Sequence, residues 1–434
     1  MKTSSDSDIT TQELDSRQVR LTIEVPEERL QEEMRRAAQL ISREVTIPGF
    51  RKGKAPYDIV VQRYGEEMIR EEAVNLLIEP IYREALEQEG ILPYAPAALE
   101  TMALDPLRYT FLVPLPPQIE LGDYQSLRID PPTVVVEEEE IEKVLEQVRE
   151  QHAVLEPVDG REAQPGDVLS ISVEARSEDG TIFLKDEEVE VLLDLENDYP
   201  TPGFYEALVG MAPGEERTFR LEMPDAHPSD EAEFTVAAEE IFERILPGLD
   251  DDLARAVGNF DSLEAMRARI EGRIRERKQA EADEEYSLQV IDALVEGAEL
   301  KYPPEALEEE VDEFLGQEEE RTRRTRRMSL EDYLKAIGKT EEELREELRP
   351  RAEQRLQRSL ALMSFVEAEG LSVTEEEVER RIAVLSEGEG SQADEIREQL
   401  QSEEMRRIVE SNLLIEKATA RLTAIARGEE ESEG

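Results

Sequence analysis

One short cationic run stands out among the residues that could do chemistry. Residues 45–56 read VTIPGFRKGKAP and hold three cations and no acid, although the whole chain of 434 residues has a formal net charge of −55. Arg51, Lys52 and Lys54 could bind phosphates or carboxylates, and Phe50 beside them offers an apolar or stacking surface. The run therefore predicts a small binding loop on an otherwise acidic protein.

Glycine and proline shape this loop. Gly49 and Gly53 relieve steric limits on the backbone of an exposed tip, while Pro48 and Pro56 restrict its two ends. Such a loop loses less conformational entropy when it docks on a partner. From charge alone, one solvated turn among many is the simpler interpretation.

The charge balance of the chain limits its partners. Asp and Glu number 106 against 51 Lys and Arg, so the surface as a whole repels nucleic acid and anionic lipid at long range. Contact with RNA must therefore be local. The chain contains no Cys, which excludes a disulfide, a thiolate nucleophile and a Cys-ligated zinc site.

Few residues support metal or cofactor chemistry. His152 and His227 lie far apart in the sequence, and the chain has no GxGxxG, GxxxxGK[ST] or HExxH motif, so we expect no cofactor. The N-terminus has no apolar signal-peptide core, and no window approaches the roughly 20 apolar residues of a membrane span. We expect a soluble cytoplasmic protein with no membrane partner.

A second cationic run, RTRRTRR at 321–327, has five arginines. It follows GQEEE inside a helical stretch, so Glu–Arg pairs along one solvated helix are the favoured interpretation, and we assign it no site.

The elements around the binding loop indicate an α+β module over residues 1–117. Alternating apolar residues in RQVRLTIEVP predict a strand, a helix follows and stops at Pro48, and LRYTFLVPL predicts a closing strand. The helical stretch after the loop is predicted to break near Pro80 and to end at Gly90.

The remaining chain divides into three segments. Residues 118–161 form a connector whose helix has one apolar face. Apolar and polar residues alternate over residues 162–246, which predicts short strands, and residues 247–434 are predicted to be helical. Thr340 with Glu343 and Thr374 with Glu377 predict two capping boxes in the helical segment.

The loop residues GFRKGKAP resemble the ribosome-binding signature of the bacterial trigger factor family. The match continues into IVVQRYG, and LPGLDDDLARAVG at 246–258 is similar to the family's junction before its C-terminal helices. The order of all four segments agrees, so the resemblance covers nearly the whole chain.

The resemblance implies a multidomain α+β protein with three working parts. These are an N-terminal α+β ribosome-binding domain, an FKBP-like β-rich prolyl isomerase domain and an all-helical C-terminal chaperone body with arms. Its implied partners are the ribosome near the exit tunnel and nascent or unfolded polypeptides, and a homodimer off the ribosome is left open. The implied ribosome contacts are Gly49, Phe50, Arg51, Lys52, Gly53, Lys54 and Pro56.

The resemblance also implies an aromatic isomerase pocket. FKBP-type isomerases lower the rotational barrier of an X-Pro bond by holding it in an aromatic pocket that excludes water. The implied pocket residues are Phe183, Phe204 and Phe234. Val173 stands where the family has an aromatic residue, Leu184 replaces an acid, and the flap PDAHPSDEAEF is short, so we expect weak or absent activity. That the three phenylalanines are simply the core of a small β domain is as well supported as a working pocket.

Two other functions stay open at this stage. The chain could be primarily a prolyl isomerase whose helices recruit unfolded substrates, although Val173 and Leu184 oppose this. A periplasmic chaperone of similar architecture is opposed by the missing signal peptide. Met266, Met328, Met363 and Met405 are candidates for a client surface because methionine adapts to varied partners, but core packing explains each of them as well.

Overall fold

A computed structural model of the chain describes residues 7–158, 160–223, 231–258, 260–386 and 391–429, without the side chains of 391–395. The fold divides into two units. One unit combines Met1–Pro132 with Glu284–Gly434, and the other is Thr133–Asp283. The predicted mixed α+β architecture is confirmed.

The N-terminal segment is an antiparallel sheet covered by helices. Its elements are β1 (Asp8–Leu14), β2 (Gln18–Glu24), α1 (Glu27–Glu44), α2 (Tyr57–Tyr64), α3 (Glu66–Glu89), β3 (Ala98–Leu104) and β4 (Leu107–Pro114). The strand order is β1-β2-β4-β3. Leu21 and Ile23 of β2 are fully buried against helical residues such as Leu30 and Ile69, as the alternating pattern predicts.

Helix α3 corrects the prediction of a break near Pro80. The helix runs through Pro80 and ends at Gly90, which has the left-handed backbone conformation predicted for its cap. Pro80 lies on the exposed side of α3, while Leu77 and Ile81 beside it are buried. The hydrogen bond that proline cannot donate is therefore lost where water can satisfy the free carbonyl.

The second unit contains the connector helix and the β-rich domain. After β5 (Gln118–Glu120), its elements are α4 (Glu138–Gln151), β6 (Val154–Pro157), β7 (Val168–Ser177), β8 (Ile182–Leu192), α5 (Phe204–Leu208), β9 (Glu216–Glu222) and β10 (Glu231–Ile245). The sheet order is β6-β10-β7-β8, and β9 also pairs with β10. Buried residues of β7, α5 and β10 form one core.

Helices dominate the rest of the chain. They are α6 (Asp251–Gly258), α7 (Leu263–Glu296), α8 (Pro304–Arg326), α9 (Leu330–Ile337), α10 (Glu341–Glu369), α11 (Glu375–Leu385), α12 (Ser391–Leu400) and α13 (Glu403–Arg427), with β11 (Glu299–Lys301) between α7 and α8. Both predicted capping boxes are present at the starts of α10 and α11. Among the described residues, no helix is long and apolar enough to cross a membrane.

The connector packs on helices in both units. Strand β5 pairs with β11, and Tyr124 and Ile129 pack on the core formed by α7, α10 and α13. Farther along the connector, Ile141 and Leu145 of α4 are buried against α6 and α7. The apolar face predicted for this helix is therefore covered within its own unit.

Candidate functional site

The cationic run forms the loop between α1 and α2. Its backbone is held by three hydrogen bonds: the Phe50 N–H donates to the Ile47 carbonyl (3.1 Å), the Lys54 N–H to Arg51 (2.9 Å), and the Gly53 N–H to Ser42 (2.7 Å). Ile47 is buried in the N-terminal core and anchors the first half of the loop. The loop is therefore a structured turn on a rigid base.

Two glycines make this turn sterically allowed. Gly49 has φ of 86° and Gly53 has φ of 77°, in a region that residues with a side chain rarely adopt. A Cβ atom on Gly53 would lie 2.7 Å from Cγ of Arg43, whereas one on Gly49 would meet nothing within 4 Å. The loop thus passes directly over the Arg43 side chain.

The cations of the loop face solvent. Arg51, Lys52 and Lys54 are exposed, and none of them has an ion pair with a residue that the structure describes. Phe50 is also exposed, at 38% of its surface. A cluster of like charges with an aromatic ring beside it is available for an anionic partner.

Arg43 adds a fourth cation that the sequence analysis missed. It is exposed in the last turn of α1, against Gly53, and it too lacks an ion pair within the described chain. Its sequence signal was weak because it precedes the motif by several residues and has Glu44 beside it. Only the fold shows that the loop turns back onto it.

The second cationic run has a different environment. Arg321 pairs with Glu318 (3.2 Å) and Arg323 with Glu319 (2.7 Å), one helical turn earlier in α8. The predicted Glu–Arg pairs on one helix are present. Arg321 and Arg323 therefore have local partners that the loop cations lack, whereas Arg326 lies over the Tyr333 ring and Arg324 and Arg327 form no ion pair with a described residue.

The predicted pocket aromatics of the β-rich domain lie together. The Phe204 ring centroid is 5.3 Å from that of Phe234, and the Phe183 centroid lies 6.4 Å from Phe234 in an edge-to-face arrangement. Phe204 and Phe234 are 3% and 0% exposed, whereas Phe183 is 40% exposed. Phe204 and Phe234 therefore belong to the core of this domain, and Phe183 is open to solvent.

A fourth ring, Phe219, completes this cluster. Its centroid is 5.9 Å from Phe204 and 5.8 Å from Phe234, because β9 pairs with β10 in a register that sets Phe219 opposite Phe234. The alternation in EERTFRL could have indicated its inward direction, but strand pairing had to be known to bring it to the pocket.

Two aliphatic residues, Val173 and Leu184, stand where the family pattern has other residue types. Val173 is buried and Leu184 is half-buried, and both pack into the same core. The predicted short flap falls largely on residues 224–230, which lie outside the described residues.

The described chain offers little else for catalysis. His152 ends α4, where its Nδ1 lies 2.9 Å from the Val148 carbonyl oxygen, as expected of an ordinary helix-end residue, and His227 lies outside the described residues. Within the described ranges, no group of His, Asp or Glu could hold a metal ion.

These features fit a chaperone with an attached isomerase domain, and sequence profiles identify both parts. The profile of the bacterial trigger factor protein matches residues 7–148, and that of its C-terminus matches residues 262–424. The profile of the FKBP-type peptidyl-prolyl cis-trans isomerase matches residues 159–243.

Full-length relatives make the assignment specific. The trigger factor of Natranaerobius thermophilus is 31% identical over 98% of this chain and 99% of its own, and that of Carboxydothermus hydrogenoformans is 32% identical over 87% and 90%. A solved trigger factor chaperone, described for promiscuous substrate recognition in folding and assembly, matches with a TM-score of 0.60 and 25% identity over 96% of this chain and 98% of its own.

The chain belongs to the bacterial trigger factor family. It is a ribosome-associated chaperone with an FKBP-type peptidyl-prolyl isomerase domain, as the sequence predicts.

Proposed function

We propose that the loop at residues 45–56 is the ribosome contact of this chaperone. The observation that carries the proposal is the set of exposed cations without ion pairs, Arg51, Lys52 and Lys54, on a turn held to the end of α1. Gly49, Phe50, Gly53 and Pro56 give the loop its shape and its apolar surface. Arg43 enlarges the positive surface at the base of the loop.

The charge of the chain restricts how this contact works. A protein with a net charge of −55 is repelled by ribosomal RNA, so attraction is confined to the loop. Binding is then transient and weakens with salt, because the contacts are solvent-exposed charges. We therefore propose that the protein works in the cytoplasm, where ribosomes are. Co-sedimentation with ribosomes after exchanging Arg51, Lys52 and Lys54 for Glu tests the proposal.

We propose that Phe183, Phe204 and Phe234, together with Phe219, form the proline-binding pocket. An FKBP-type pocket needs a dry aromatic surface, and the four rings form one continuous cluster. Weak turnover is expected, because Phe204 and Phe234 are nearly inaccessible and Val173 supplies less surface than an aromatic ring. A protease-coupled assay on a Phe-Pro peptide tests this, and a rate equal to the uncatalysed rate would reduce the domain to a binding module.

The helical segment offers a surface for unfolded polypeptides. A groove of about 560 Å³ is lined by Leu288 of α7, Phe314 of α8, Met363 of α10 and Ile415 of α13. Leu288, Met363 and Ile415 expose about two fifths of their surface, which folded proteins rarely leave without a function when such residues are contiguous. Met363 and Met328 are exposed, as a client surface requires, whereas Met266 is 2% exposed and belongs to the core.

We propose a division of labour along the chain that follows these sites. Residues 1–117 dock on the ribosome, residues 118–161 connect, residues 162–246 bind prolyl segments, and residues 247–434 hold nascent polypeptides at the tunnel exit. A homodimer of the free chain stays a prediction, and sedimentation velocity is the measurement that checks it.

A further inference from the structure

A second groove lies in the unit formed by Thr133–Asp283, and it shares no lining residue with the loop at 45–56, the aromatic cluster or the first groove. It has a volume of about 570 Å³ and runs between α4, α6 and α7. Its apolar lining combines two buried side chains, Met266 and Ile274, with half-buried ones: Val144, Val148, Val257, Phe260 and Ile270. The floor is therefore mostly aliphatic and accessible from solvent.

Three arginines follow one side of this groove. Arg269, Arg273 and Arg277 are exposed and recur every four residues along α7, so successive guanidinium groups start about 6 Å apart on one face of the helix. No Asp or Glu is among the described residues that line the groove, although the chain as a whole is rich in acids.

Ion pairing separates Arg269 and Arg273 from the other cations of α7, and Arg277 belongs to the paired group because it lies 3.9 Å from Glu281. Lys278 pairs with Glu140 of α4 at 2.5 Å, and Arg267 pairs with Glu138. Arg269 and Arg273 have no ion pair with any residue that the structure describes. The chain has twice as many acidic as basic residues, yet Arg269 and Arg273 line the groove without an ion pair to any described residue.

The combination of floor and rim indicates the chemistry of an occupant. Guanidinium groups bind carboxylates through paired hydrogen bonds, and an aliphatic floor gains by covering itself with aliphatic side chains. Single-stranded RNA also carries anions, but it binds by stacking successive bases on aromatic rings, and Phe260 is the one aromatic residue among the described residues of the lining. A polypeptide fits both parts of the groove.

We propose that this groove binds polypeptide segments in which acidic residues lie next to aliphatic ones. The aliphatic side chains cover Val148 and Ile270, and the carboxylates pair with Arg269 and Arg273. The proposal rests on the proposed function only in that the chain holds unfolded polypeptides. It adds a selectivity for acidic segments, which the rest of this anionic surface repels.

Fluorescence anisotropy of the full chain with short labelled peptides tests the proposal. The probes are a peptide alternating Leu and Glu, one alternating Leu and Lys, one alternating Ser and Glu, and a single-stranded RNA of the same length. We expect the Leu-Glu peptide to bind more tightly than the Ser-Glu peptide and the RNA. The double variant R269Q/R273Q weakens Leu-Glu binding about ten-fold at low salt, and the difference shrinks as salt rises.

The matched control is R255Q/R275Q, which makes the same charge change on exposed arginines of α6 and α7 that do not line the groove. It should leave Leu-Glu binding unchanged. Equal losses in the two variants, no loss in R269Q/R273Q, or tighter binding of the RNA would each overturn the proposal. Both variants should still co-sediment with ribosomes. Failure of the groove proposal can therefore be distinguished from failure of the proposal that the loop at residues 45–56 contacts the ribosome.

Discussion

Gly53 brings the backbone of the loop at residues 45–56 close to the side chain of Arg43. Two features favour glycine at this position, the positive φ and the lack of space for a Cβ beside Arg43. Gly49 has the positive φ, but a Cβ there would meet nothing within 4 Å. The two glycines therefore provide a comparison in which backbone strain is shared and the contact differs.

We expect Gly53→Ala to lower the free energy of unfolding more than Gly49→Ala. Both variants force an alanine into the left-handed region, at a cost of roughly 1–2 kcal/mol. Only Gly53→Ala must also displace the Arg43 side chain. Urea unfolding of both variants measures the difference, and an equal or larger loss in Gly49→Ala would show that the contact with Arg43 does not matter.

Substitutions of the clustered phenylalanines should affect stability according to how deeply each ring is buried. Phe234→Ala removes a fully buried ring and should cost about 3–5 kcal/mol of unfolding free energy. Phe183→Ala changes a ring that is two fifths exposed, so it should cost about 1 kcal/mol or less while reducing isomerase activity. Thermal unfolding together with the protease-coupled assay measures both effects. An unchanged rate in Phe183→Ala would remove this residue from the pocket.

Sequence reasoning at the residue scale reached side chains that belong to a contiguous motif. The loop GFRKGKAP could be predicted in this way, and Phe183, Phe204 and Phe234, whose role in binding is still a prediction, could be predicted from the resemblance to the family. Arg43 and Phe219 could not, because their roles depend on a turn folding back onto a helix and on the register of β9 with β10. Long-range placement of this kind leaves no local signal.

At the scale of elements, the start of α11 shows how capping and tertiary contact combine. Glu377 closes the capping box with Thr374, and Lys417 of α13 lies 2.7 Å from the same carboxylate. The hydrogen bond from Lys417, followed by those from Thr374, lowers the pKa of Glu377 from 4.5 to about 2. The carboxylate therefore links two helices as well as capping one.

This lowered pKa gives the contact a defined pH dependence. Because the folded-state pKa lies below the unfolded value, the stabilisation is complete above pH 4.5 and is lost as the pH falls towards 2. In an NMR titration, Lys417→Met should raise the pKa of Glu377 towards 4.5. Lys335→Met, which removes a pair with Glu331 on α9, should leave it unchanged. A Glu377 pKa that does not respond to Lys417→Met would contradict the assigned cause.

The elements themselves were largely predictable, and the exceptions have a physical origin. Capping boxes and apolar periodicity act within one or two turns, so the starts of α10 and α11 could be read locally. The break predicted at Pro80 was wrong because local propensity was outweighed by burial of Leu77 and Ile81 on the opposite side of α3. Tertiary packing is absent from a local pattern.

At the scale of the whole molecule, the isomerase domain is an insertion whose ends lie close together. Arg149 Nε donates to the Pro247 carbonyl at 2.8 Å, so the chain leaves and re-enters the helical part at neighbouring points. Strand β6 pairs with β10, so a clean removal must include it.

We expect deletion of residues 154–246, closed by a short Gly-Ser linker, to preserve most of the suppression of aggregation. The groove lined by Leu288, Phe314 and Met363 lies outside the deleted segment. Light scattering of a denatured client protein during dilution measures this activity. Loss of most suppression, with α-helical circular dichroism retained, would favour the alternative in which the isomerase domain does the principal work.

The distribution of charge over the whole chain leads to the central claim. We propose that attraction to ribosomes is concentrated in one loop, because the chain as a whole has a formal net charge of −55. The run at 321–327 supplies a control with the same charge change, because Arg321, Arg323 and Arg324 are similarly exposed and the first two pair within their own helix.

Ribosome co-sedimentation at low and high salt tests this claim most directly. The account predicts that R51E/K52E/K54E abolishes co-sedimentation with the fold intact, that R321E/R323E/R324E retains it, and that high salt weakens binding of the unmodified chain. Unchanged co-sedimentation of R51E/K52E/K54E, or an equal loss in the control, would contradict it.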